Sequence, residues 1–144
     1  MRFSSLLVST LILAQAAAAQ ISYHTAGAQF KKCDYQTNVQ TILTGIPAAV
    51  TGLNCIHMTS PVTGFIGTVT APTNIYSFTL AGNVVTLGNS GNPLNTSATV
   101  GGNIAELAEH GGYLYFTTQG GTGGGALQRM KMTGGGDPGQ RQGR

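Results

Sequence analysis

Residues 75–80 read Ile-Tyr-Ser-Phe-Thr-Leu, with apolar and hydroxyl side chains in alternation. Tyr76, Phe78 and Leu80 fall on one side and Ser77 and Thr79 on the other, the period-two pattern of a half-buried β-strand. Ala81-Gly82-Asn83 follows as a hairpin turn, and residues 84–88 as the returning strand. Residues 64–70 form an earlier strand that Pro72 and Asn74 bring to an end, and residues 89–97 are turn formers throughout. Beyond them the pattern predicts strands over 103–109, 113–118 and 126–132, with His110-Gly111-Gly112 turning between the first two. One segment reads differently. Residues 34–44 predict a short helix: Asp34 is the N-cap, Val39, Ile42 and Leu43 share a face, and Gly45 stops it.

A weak echo runs through this pattern. Residues 64–82 and 112–134 each hold a glycine, an aromatic-rich strand, a turn-rich loop, a second strand and a closing glycine, offset by 48 residues. That spacing suits the blades of a β-propeller, although two copies fall short of a ring and repeated hairpin grammar accounts for the same pattern.

Composition points the same way. Sixteen threonines lie between Cys33 and Gln128, and β-branched Thr favours extended chain. Without the glycine-rich end, about 100 residues remain, enough for one domain with a modest core. The expected fold is mainly β, a small antiparallel sheet or sandwich-like domain over residues 20–118. It extends through a last strand to about 132 and carries one short N-terminal helix.

The N-terminus has another purpose. Arg2 gives a positive start, Leu6 to Leu13 an apolar stretch too short for a bilayer, and Ala17-Ala18-Ala19 a small-residue cleavage site. Residues 1–19 therefore read as a secretory signal peptide, with a mature chain from Gln20 and no later segment apolar enough for membrane insertion. In an exported chain the two cysteines, Cys33 and Cys55, imply one disulfide. Closing a loop of ~20 residues would stabilise a small domain by about 3 kcal/mol. Residues 133–144, glycine-rich and basic, read as a disordered tail.

The charge pattern excludes function classes. No Lys or Arg occurs between Cys33 and Gln128, so the body has no footprint for a nucleic-acid backbone. Two cysteines without clustered histidines argue against a metal site, and no cofactor motif is present. Glu106, Glu109 and His110 raise acid–base chemistry, yet on a strand Glu106 and Glu109 point to opposite faces, and His110 sits where a turn is expected. His57, Glu106, Arg129 and His110 could imitate a small secreted ribonuclease, but a phosphate cleft needs more cations. No catalytic residue is assigned. For a glycan-binding, lectin-like surface the candidates are Tyr76, Tyr113 and Tyr115, the last two sharing one strand face. Asn95-Thr96-Ser97 is a glycosylation sequon, and Lys31-Lys32 a dibasic pair before Cys33.

The "MRFSSLL" start, the Ala-rich cleavage site and a body near 100 residues with no catalytic motif resemble the small secreted proteins of filamentous fungi. Many of those are classed as effector candidates. The resemblance implies a non-enzymatic interaction protein delivered outside the cell, with a host or cell-surface protein, or a glycan, as partner.

Overall fold

The computed structural model describes residues 20–70, 72–95, 102–120, 125–132 and 139–142. Three antiparallel sheets are built by consecutive strands. The first holds β1 (Ile21–Ala26), β2 (Gln29–Asp34) and β3 (Val39–Ile42). The second is the meander β4 (Leu53–Ser60), β5 (Thr63–Thr68), β6 (Ile75–Ala81) and β7 (Val84–Leu87). The third repeats that meander with β8 (Asn103–His110), β9 (Tyr113–Gln119), β10 (Leu127–Lys131) and β11 (Gly139–Gln142). β11 falls within the segment expected to be a disordered tail and pairs with β10. The expected signal peptide lies outside the described residues.

The second sheet is the middle layer. Ile66, Tyr76 and Phe78 join Phe30 and Leu43 in one core, while Phe65 and Ile75 join Ile104, Leu114, Phe116 and Met130 in another. Covered on both sides, β5 is buried along almost its whole length, and Gly64 and Gly67 keep it thin enough.

The predicted helix is a hairpin. The Asp34 carboxylate accepts the backbone N–H groups of Gln36 at 2.9 Å and Thr37 at 3.3 Å, and Asn38 turns the chain at φ 54°. These bonds hold the Asp34 carboxyl below its ordinary pKa. Asp34 thus caps a turn, as its side chain could equally do for a helix. β-Branched Val39, Thr41 and Ile42 then pair with β2. Among the described residues the helical structure is one 3₁₀ turn, Asn89–Gly91.

Both cysteines are free thiols, which corrects the expected disulfide. The unbroken register of β1 and β2 puts Cys33 on the face opposite Phe30, away from the second sheet. Cys55 points the other way, from the second sheet toward the third. Packed sheets stand about 10 Å apart, whereas bridged cysteines need Cα atoms within roughly 7 Å.

The echo is structural. An offset of 48 residues carries Phe65 and Ile66 of β5 onto Tyr113 and Leu114 of β9. Ile66 faces the preceding sheet and so does Leu114; Phe65 faces the following side and so does Tyr113. The cross-strand pair His57–Phe65 recurs as His110–Tyr113. Two successive four-stranded meanders are thus stacked in the same order and with the same facing.

Candidate functional site

Two surfaces carry the chemistry. The first is the face of the third sheet turned away from the second. Register places His110, Tyr113 and Lys131 in one row across β8, β9 and β10. Ala108, Tyr115 and Arg129 form the next row, and Glu106, Thr117 and Leu127 the third. Leu114, Phe116 and Met130 alternate with them into the core, so this face is the polar half of an amphipathic sheet with two tyrosines kept on it. The Arg129 guanidinium lies over the Tyr113 ring, 4.8 Å from its centroid. Leu127 is 48% exposed beside Thr117.

The second surface is a groove where the first strands of the three sheets run side by side. Tyr23-His24-Thr25 of β1, Asn54-Cys55-Ile56 of β4 and Ala105-Glu106-Leu107 of β8 line about 420 Å³. Side chains tie these strands together where backbone pairing does not. Thr25 Oγ1 donates to the Asn54 carbonyl at 2.8 Å, and Asn54 Nδ2 donates to the Ile104 carbonyl at 2.8 Å. The Cys55 thiol also reaches the Ile104 carbonyl, at 3.8 Å.

β8 enters this groove through a β-bulge between Ile104 and Glu106. The extra residue, Ala105, lets Ile104 and Leu107 share the core face despite their spacing of three. Glu106 and Glu109 do point to opposite faces, because their register is regular from Glu106 onward.

Burial pushes the Cys55 thiol up to about 12; the Glu106 charge adds to the shift and the Gly67 backbone N–H opposes it. Between the ordinary value of 9.0 and about 12 the unfolded thiol ionises while the folded one keeps its proton, so rising pH favours the unfolded state. Cys55 therefore contributes stability in full below about pH 9, and that contribution fades as pH rises toward about 12. Denaturant titrations from pH 8 to 11 should show a steeper alkaline loss in wild type than in Cys55→Ala. Equal slopes would refute the buried neutral thiol.

The expected site residues scatter. Tyr76 is 7% exposed in the first core, its hydroxyl accepting from Asn74 Nδ2 at 3.1 Å, so it belongs to no surface with Tyr113 and Tyr115. Asn95 is 7% exposed. Its Oδ1 accepts the Ile75 N–H at 2.6 Å and its Nδ2 donates to the Thr73 carbonyl at 3.0 Å. That nitrogen is where a glycan would attach, and here it is enclosed; Thr96 and Ser97 lie outside the described residues. Lys31 and Lys32 stand mid-strand in β2, half-buried, rather than in an open loop.

The ribonuclease-like set does not assemble. His57 faces the third sheet from β4, whereas Glu106, His110 and Arg129 lie on that sheet's far side. Glu106 and His110 are four residues apart on one strand, roughly 13 Å. Among the described residues no three His, Cys, Asp or Glu side chains group to hold a metal ion, and no helix is long and apolar enough to cross a membrane. His24, which no sequence motif singles out, lines the groove from β1. Its neighbours Ser22, Tyr23 and Thr25 alternate polar and aromatic character, the signal that could have placed it on a strand. Comparison of the chain with protein-family models, curated proteins and solved structures returns no match.

Proposed function

We propose that the chain is an exported, non-enzymatic interaction protein, and that the outer face of the third sheet is its partner-binding surface. One observation carries the reading: Tyr113, Tyr115, Leu127 and Arg129 cluster on a sheet face that, among the described residues, no other sheet covers. Tyrosine and arginine dominate the energetics of protein interfaces, because each offers a large, stiff surface with a polar end. The equivalent face of the second sheet, bearing Phe65, is already used to dock a neighbour. The partner is a protein of a host or of a cell surface, as the fungal-type leader implies.

The test is affinity capture from a cell-surface protein fraction, followed by titration of the captured partner against variants. Tyr115→Ala and Tyr113→Ala should each weaken binding by about thirtyfold, on the order of 2 kcal/mol, with little change in unfolding temperature. Unchanged binding in both variants, or turnover of a substrate by the purified protein, would overturn the reading.

A further inference from the structure

We propose that the groove between β1, β4 and β8 is a second binding site, and that its ligand is an uncharged, hydroxyl-rich molecule of saccharide size. The site is built rather than incidental. Each sheet supplies three consecutive residues, and the Thr25–Asn54–Ile104 hydrogen bonds hold the three strands in place before any ligand arrives. A volume of about 420 Å³ lies within the ~300–1,000 Å³ usual for small-molecule sites.

The lining selects the ligand. No Lys or Arg lines the groove, and Glu106 repels an anion. Lys31 stands directly opposite His24 across β1 and β2, and its charge disfavours a cation. What remains is a set of polar residues, Tyr23, His24 and Asn54, around the one carboxylate of Glu106. Vicinal hydroxyls meet such a set as both donors and acceptors. Ile56 and Leu107 add apolar surface for the ring carbons. The high pKa of the Cys55 thiol keeps it neutral here, so it adds no charge to the lining.

Isothermal titration of the full chain with maltotriose, cellotriose and triacetylchitotriose tests the site, with spermidine and inorganic phosphate as charged arms. At least one trisaccharide should bind saturably. Glu106→Ala and His24→Ala should each weaken it at least about tenfold. Glu106→Gln, which keeps an acceptor and removes the charge, should stay within a few-fold of wild type. Circular dichroism of each variant establishes that it is folded. The proposal is overturned if no trisaccharide binds, if both alanine variants bind as wild type, or if spermidine or phosphate is preferred. The groove meets the outer face at Glu106 but includes none of Tyr113, Tyr115, Leu127 or Arg129, so its failure leaves the partner-binding reading standing.

Discussion

Adding a methyl group to Gly67 is expected to lower the unfolding temperature by roughly 10–20 °C, the effect of about 2–3 kcal/mol in a domain of this size. Gly67 sits in β5 where the second sheet meets the third. A Cβ there would stand 2.6 Å from the Cys55 sulfur and 2.7 Å from Ile104 Cγ2. Neither neighbour can step aside cheaply. Ile104 is fully buried, its carbonyl held by Asn54 and Cys55, and Cys55 is largely enclosed. Thermal melts followed by circular dichroism measure the loss. Removing the sulfur should recover part of it, so Gly67→Ala combined with Cys55→Ala should melt above Gly67→Ala alone. A Gly67→Ala melting point within about 3 °C of wild type would show that the sheets are not in contact there.

Asn95→Ala should destabilise by a similar amount, roughly 3 kcal/mol, for a different reason. The Asn95 amide occupies both the Ile75 N–H and the Thr73 carbonyl, and alanine leaves both buried groups without a partner. Asn95→Asp tests the donor alone, since it keeps the acceptor for Ile75 and loses the hydrogen bond to Thr73. Its loss in a denaturant titration should be substantial as well, because a carboxylate would face a carbonyl in a buried site. Wild-type stability in Asn95→Ala would mean that the loop between β7 and β8 is not pinned through this side chain.

The strands were legible wherever local pattern and tertiary demand agree. Residues 75–80 alternate because one face meets the first core, and Gly82 and Gly111 sit at positive φ where the hairpins turn. Tyr113 and Tyr115 share the solvent face, as simple alternation requires. Residues 34–44 misled because Asp34 caps turns and helices by the same bonds, and only pairing with β2 decides between them. The disulfide failed for a related reason: an even cysteine count says nothing of which face each side chain takes, and these two point apart. Asn95 looked like a loop residue and is one, yet its loop folds back over β6 and encloses it. The groove was hidden altogether. Its residues lie on strands about 30 and 50 positions apart in the chain, and only the stacking of three sheets brings them together.

The single surplus residue at Ala105 separates two roles within one strand. On either side of it, Ile104 and Leu107 turn to the core, Leu107 also reaching the groove, while Ala105 and Glu106 belong to the groove wall. Shortening β8 by that one position would leave both aliphatic neighbours facing inward as before. The wall can thus be trimmed or reshaped without disturbing the core that lies behind it.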